Sequence, residues 1–198
     1  MFVKQYSPDK LWSADEYLAW ESVQEFKNEL IDKRVWLMLG AGLRHASISV
    51  NLIQIFHHIC EERDFTALGS RACLEIDPES TFVYPDFMLF AGMPQEHFRF
   101  NQCFFKDPTV VFEILSPSTE DMDRGRKKAL YLQLESLQTY ILISQDRPLI
   151  EAHLKTGGDW QTVKIAGLES SLDIPAPDCE IPLSDVYRRV RFEETRQI

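Results

Sequence analysis

Apolar positions along the chain recur with two different periods, and the changes of period predict the elements. From His45 to about Arg63, Ile48, Leu52, Ile55, Phe56 and Ile59 fall on one face of a helix with 3.6 residues per turn. Ser13 followed by Glu16 has capping-box spacing and predicts a short helix through Trp20. Glu29 to Leu39 reads as a hairpin, with two β-prone runs flanking Asp32-Lys33-Arg34. That break lacks the glycine a tight turn usually prefers. Gly40-Ala41-Gly42 ends the second strand.

A strand is predicted around Ala72 to Ile76 and a turn at Asp77-Pro78-Glu79-Ser80. Another strand runs from Phe82 to Phe90, interrupted at Pro85. Residues 91–108 read as a long loop. Thr109 to Leu115 is the most β-like run and almost wholly apolar, as for a strand buried on both faces. Ser118 is the expected N-cap of a helix reaching about Glu135. Tyr140 to Ile143 is a buried strand. Leu149–Leu154 and Trp160–Ile165 form a hairpin across Thr156-Gly157-Gly158-Asp159. The tail gives a strand end at Ile181 and a helix capped at Ser184. The expected fold is α/β, a mixed sheet flanked by helices, with an N-terminal and a C-terminal hairpin. One domain accounts for all 198 residues.

Composition narrows the function. A 44% hydrophobic content supplies a sizeable core. The formal net charge of −10 excludes a uniformly basic nucleic-acid coat, so any such binding needs a local basic patch. Cys60, Cys73, Cys103 and Cys179 form no C-x-x-C pair and read as small core residues. The N-terminus lacks a signal-peptide apolar run, and no stretch approaches a membrane span. A cytoplasmic protein with no membrane partner is the expectation.

Glu113 contradicts its surroundings. A carboxylate within the most apolar strand loses hydration worth several kcal/mol unless an Arg or Lys, a proton or a metal ion compensates. Asp86, directly after Pro85, poses the same problem. Two such acids on neighbouring strands can hold a hard divalent cation, although Asp86 can equally end a strand and Glu113 can pair with a core-facing base. Asp123, Lys127 and Tyr131 recur every four residues and share a helix face. They suit either an ordinary solvated ion pair or a lysine reaching over the acids. His57 and His58 are adjacent on a helix and face different directions, which is poor geometry for chelation.

Taken together, Pro85-Asp86, Val111-Phe112-Glu113-Ile114-Leu115-Ser116-Pro117-Ser118-Thr119 and Asp123-Arg124-Gly125-Arg126-Lys127-Lys128-Ala129-Leu130-Tyr131 resemble the Uma-two family of bacterial endonuclease-like proteins. The resemblance extends from about residue 11 to 190. It implies the restriction-endonuclease-like PD-(D/E)xK fold and metal-dependent hydrolysis of phosphodiester bonds, with DNA as the expected substrate. By the same resemblance, Asp86 and Glu113 bind Mg²⁺ or Mn²⁺, with the Ile114 backbone carbonyl as a further ligand. Glu29 matches an N-terminal acidic position and Lys127 the helix lysine, with Lys128 its rival. The lysine of an ordinary E-x-K would fall at position 115, which is leucine here, as in the family. His45 matches a position where the family often has histidine, though capping or packing is its simpler role.

Arg124, Arg126 and Lys128 form the densest basic cluster and are expected to contact phosphates, with Arg188-Arg189-Val190-Arg191 a second cluster. Pairing of two copies into a homodimer is a further expectation. The alternative function is a non-catalytic module of the same fold, in which Lys127 itself neutralises Glu113. A hydrolase of another phosphate ester is the third reading.

Overall fold

A computed structural model describes residues 5–38 and 40–192. Leu39, the end of the predicted first hairpin, lies outside the described residues, as do the first four residues. The first segment comprises β1 (Gln5–Tyr6), α1 (Ala14–Glu21), β2 (Asn28–Ile31), β3 (Arg34–Leu37) and the long α2 (Leu43–Arg63). Next come β4 (Phe65–Gly69), β5 (Cys73–Asp77), β6 (Thr81–Val83), β7 (Phe87–Ala91), β8 (His97–Arg99), β9 (Gln102–Phe105) and β10 (Val110–Leu115). α3 (Glu120–Met122), a π-helical turn (Asp123–Lys127) and α4 (Lys128–Tyr131) follow in one continuous run. The chain finishes with β11 (Thr139–Ser144), β12 (Leu149–Thr156), β13 (Asp159–Ala166), β14 (Ser171–Ile174), β15 (Cys179–Pro182) and α5 (Leu183–Val186).

The strands form two principal mixed sheets. One has the order β1-β3-β2-β6-β5-β9-β8, the other β13-β12-β11-β10-β7-β4, and β14-β15 is a separate hairpin. β10 is central in the second sheet, parallel to β11 and antiparallel to β7. Its side chains divide with the period of two that a strand imposes. Val110, Phe112 and Ile114 join Ile48, Leu52 and Phe56 of α2 in one core. Val111 and Leu115 join Tyr131, Tyr140 and Leu142 in a second core, which also takes Ile31, Leu74 and Val83 from the first sheet. Glu113 belongs to this second row and points into the space between the sheets and the helical run.

Several local expectations hold. Ser13 and Glu16 make a reciprocal capping box, and α2 buries Ile48, Leu52 and Phe56. The first hairpin turns at Asp32 and Lys33, both with positive φ (50° and 63°), so two non-glycine residues carry the left-handed turn. Asp32 is held there by an ion pair with Arg126.

Other expectations need correction. Phe82–Phe90 is two strands in different sheets, and Pro85-Asp86 is the crossing between them. The proline lacks a ladder donor, so pairing stops where the chain changes sheets. Residues 91–108 contain the β8–β9 hairpin, turned by Phe100 and Asn101 at positive φ. β4 escapes the pattern-based reading: all five of its residues are half-buried at a sheet edge, which weakens the alternation that marks a strand. The helix after β10 starts at Glu120 rather than Ser118, whose hydroxyl instead lies 2.9 Å from that of Ser116. It ends at Tyr131, short of Glu135. The last helix is preceded by Pro182, not capped by Ser184. No helix among the described residues is long and apolar enough to cross a membrane.

Candidate active site

Three elements bring acids to one cleft. Glu29 comes from β2, Asp86 from the crossing before β7, and Glu113 from the middle of β10. The π-helical turn adds Asp123 and Lys127. These acids and the lysine line a cavity of about 640 Å³ together with His45 and Tyr84.

Lys127 is the hub. Its Nζ lies 2.7 Å from Glu113 Oε1, 3.1 Å from Glu29 Oε1 and 3.6 Å from Asp123 Oδ1. Only 4% of the residue is exposed, so the face shared with Asp123 and Tyr131 is buried rather than solvated. The Tyr131 hydroxyl donates to Glu113 Oε1 at 2.8 Å. The Tyr140 hydroxyl donates to the Asp123 carbonyl at 2.9 Å, anchoring the turn to β11. Glu29 Oε1 also accepts the Tyr84 N–H at 2.8 Å.

Asp86 is held differently. Its Oδ2 accepts the Ile114 N–H at 2.7 Å and lies 3.2 Å from His45 Nε2. Its own N–H approaches Glu113 Oε2 at 3.4 Å. β7 pairs with β10 only as far as Phe112, which leaves the Ile114 backbone free to face Asp86. The Ile114 carbonyl leaves the strand on the same side as its N–H, beside that carboxylate.

The site carries excess negative charge. Burial pushes the Glu113 carboxyl well above the usual carboxylate range despite Lys127, and the charges of Asp123, Asp86 and Glu29 push the same way. Burial likewise raises Asp123 to about 6, against the pull of Lys127. Burial opposes the Lys127 charge, but Glu113, Glu29 and Asp123 outweigh it and keep the ammonium protonated. At the other end of the cleft, burial lowers Lys27 to about 8. Burial would lower His45 too, but hydrogen bonding and the charge of Asp86 leave it raised.

This donor set suits a hard divalent cation. Asp86, Glu113 and the Ile114 carbonyl supply oxygens of the kind Mg²⁺ and Mn²⁺ take from proteins, and a cation would relieve the surplus charge. No three of the site's acids bring ligand oxygens within 4.8 Å of one another, because they are spread around the ammonium. The sequence assigns no site role to Asp123 and marks His45 only as a position where the resembled family often has histidine. The i,i+4 spacing of Asp123 and Lys127 is the only available signal for the acid. Elsewhere, His57, His58 and Glu61 bring donor atoms within 4.8 Å of one another on the exposed face of α2. The two histidine rings therefore do not diverge as adjacent helix positions suggest.

The expected phosphate contacts lie elsewhere. Arg124 pairs with Glu120 at 2.7 Å and Glu151 at 3.0 Å, and Arg126 pairs with Asp32. Neither they nor Lys128 line the cleft. Arg188 pairs with Asp185 at 2.6 Å.

Residues 14–184 match the Uma2 family, described as "Putative restriction endonuclease". The chain is 30% identical over 181 residues to the uncharacterized protein slr1290 of Synechocystis sp., a match covering 91% of this chain and 93% of the relative. It is 28% identical over 166 residues to the uncharacterized protein sll1609 of the same organism, covering 83% and 93%. The crystal structure titled "a putative nuclease belonging to DUF820" from Anabaena variabilis superposes with a TM-score of 0.66 at 16% identity. That superposition covers 88% of this chain and 97% of the other, and it establishes the fold.

Proposed function

Because the chain belongs to the Uma2 family of "Putative restriction endonuclease" proteins, we propose that it is a metal-dependent endonuclease that hydrolyses phosphodiester bonds of DNA. The observation that carries this reading is the ammonium of Lys127 held 2.7 Å from a buried strand carboxylate, Glu113, in an open cleft that also contains Asp86. Asp86, Glu113 and the Ile114 carbonyl would hold Mg²⁺ or Mn²⁺. Bound there, the cation supplies Lewis-acid stabilisation of charge on the phosphoryl oxygens and acidifies water.

The chain's own residues supply the rest. Lys127 places a fixed positive charge beside the site, where low dielectric strengthens its action on negative charge developing at phosphorus. Glu29 and Asp123 keep that ammonium protonated and in place. Tyr131 fixes the rotamer of Glu113 by donating to Oε1, which leaves Oε2 toward Asp86. His45 orients Asp86 through the contact of its Nε2 with Oδ2.

A second reading is a non-catalytic module in which Lys127 neutralises the acids permanently. The short Lys127–Glu113 contact suits it as well. Calorimetric titration with Mn²⁺ separates the two. The active reading expects measurable binding by the wild type and its loss in the Asp86→Asn/Glu113→Gln double variant, with Mg²⁺-dependent cutting of DNA. Negligible heats for both proteins, together with no cutting, would establish the module.

A further inference from the structure

The cleft has a second chemically distinct end. Lys27 immediately precedes β2 and stands two residues before Glu29, on the same side of the strand. Its ammonium donates to the Arg71 carbonyl at 2.8 Å and approaches the Ser70 carbonyl at 3.4 Å. It also lies 3.9 Å from the centre of the Tyr84 ring, a cation–π contact. Tyr84 in turn gives its N–H to Glu29, so this end is joined directly to the acidic cage.

Lys27 and Arg71 are thus neighbouring cations, and both line the cleft. Neither side chain makes an ion pair with a carboxylate among the described residues. Glu25, two residues before Lys27, lines the same cavity without pairing to either, and Glu29, two residues after, is paired with Lys127. Glu21, another acid nearby, is occupied by the backbone and side-chain N–H groups of Asn28 at 2.9 and 2.8 Å. The charge of Arg71 opposes the Lys27 ammonium and that of Glu21 only partly offsets it, so an incoming anion is favoured there. The third cation of the cleft, Lys127, is already surrounded by carboxylates. Incoming phosphate therefore finds positive charge at Lys27 and Arg71 that no carboxylate ion pair neutralises among the described residues. The arginines of the helical run are spent on Asp32, Glu120 and Glu151.

The wall beside this pair is aromatic. Phe26 is 71% exposed and lines the cavity with Trp36. Trp36 is partly buried against the second core, so Phe26 gives the open face; a cation beside an open aromatic face suits unpaired nucleotides, because every base offers a π-face to stack. The cleft, of about 640 Å³, has the volume of a small-ligand site, enough for one unpaired base with its phosphate.

We propose that the Lys27–Arg71 end of the cleft is the phosphate subsite for a single DNA strand, with Phe26 and Trp36 stacking an unpaired base next to the phosphate to be cut. This rests on the nuclease reading above. It specifies that the substrate is single-stranded, or is a duplex locally opened.

The test is fluorescence anisotropy with the full chain and a short fluorescein-labelled single-stranded DNA, with Ca²⁺ replacing Mg²⁺ to hold the strand uncut. Binding is measured across a salt series for the wild type, Lys27→Gln, Arg71→Gln and the control Arg124→Gln/Arg126→Gln. Circular dichroism melts establish that each variant is folded. The slope of log K against log salt should flatten by about 0.7 for each cation removed at the subsite and stay unchanged in the control. A blunt duplex of the same sequence should bind at least about tenfold more weakly, the effect of losing one stacked base. Arg71 is exposed and its side chain makes no hydrogen bond or ion pair among the described residues, so Arg71→Gln decides the matter even if Lys27→Gln fails to fold. If the strand binds but the slope moves only in the control, or the duplex binds equally well, the subsite is overturned while the nuclease reading survives. If the wild type neither binds the strand nor cuts DNA with Mg²⁺, the reading beneath fails and takes the subsite with it.

Discussion

The Lys127 ammonium and the Glu113 carboxylate meet at 2.7 Å inside the protein, one from a π-helical turn and the other from the central strand of a sheet. Each is about 4% exposed or less, so neither charge has water to fall back on. A buried pair adds little stability over an apolar replacement, but removing one partner leaves the other stranded. Loss of either partner therefore has measurable consequences.

Lys127→Met leaves Glu29, Glu113 and Asp123 without their shared counter-charge. The metal-free variant should lose about 3–5 kcal/mol of stability in urea denaturation. Mn²⁺ should restore part of that loss, since a cation can take over the neutralising role. Activity should fall by about 10²–10³ even where the protein is folded, as for other fixed groups that stabilise developing charge. A Lys127→Met protein as active as the wild type would remove the lysine from the mechanism.

Asp123 makes a prediction in pH. Its folded pKa of about 6 lies above the ordinary value of 3.8, so the folded state holds the proton more tightly than the unfolded chain. Stability tied to this group is present below the ordinary value and is lost as pH rises to about 6. A gap of this size between folded and unfolded chain corresponds to at most about 3 kcal/mol. Asp123→Asn should therefore raise the melting temperature of the metal-free protein at pH 8 and change it far less at pH 4. An equal effect at both values would show that Asp123 is not the titrating group.

The same protons compete with metal. Cation binding at Glu113 requires that buried carboxyl, held well above the usual carboxylate range, to ionise, so Mn²⁺ binding should release protons and weaken as pH falls. Titration in two buffers of different ionisation enthalpy measures the number released. No release would place the cation away from Glu113. Chelation with EDTA should abolish cutting, and added Mg²⁺ should restore it.

Tyr131→Phe removes one hydroxyl from a completely buried position. Glu113 Oε1 then keeps only Lys127 as a partner. The expected cost is about 1.5–3 kcal/mol, the range for a hydrogen bond to a charged group, read as a lower urea midpoint with an unchanged slope. Activity should fall less than in Lys127→Met, because Tyr131 positions Glu113 without reaching the cleft.

The sequence by itself determined whatever depends on neighbours along the chain. The capping box at Ser13, the apolar face of the second helix and the anomaly of Glu113 in an oily strand are all local patterns, and the backbone periods of 3.6 and 2 convert them directly into geometry. Only the tertiary structure decided which pattern faced what. The face of Asp123, Lys127 and Tyr131 has the same spacing whether solvated or buried, and contact with Glu113 and Glu29 buries it. Pro85-Asp86 reads as an interrupted strand until two sheets form on either side and make it a crossing. The basic run at residues 124–128 looks free until Asp32, Glu120 and Glu151 fold against it, while Lys27 and Arg71, far apart along the chain, come together without a carboxylate ion pair to either among the described residues. Burial and charge pairing are set by contacts between distant segments, and no local period encodes those.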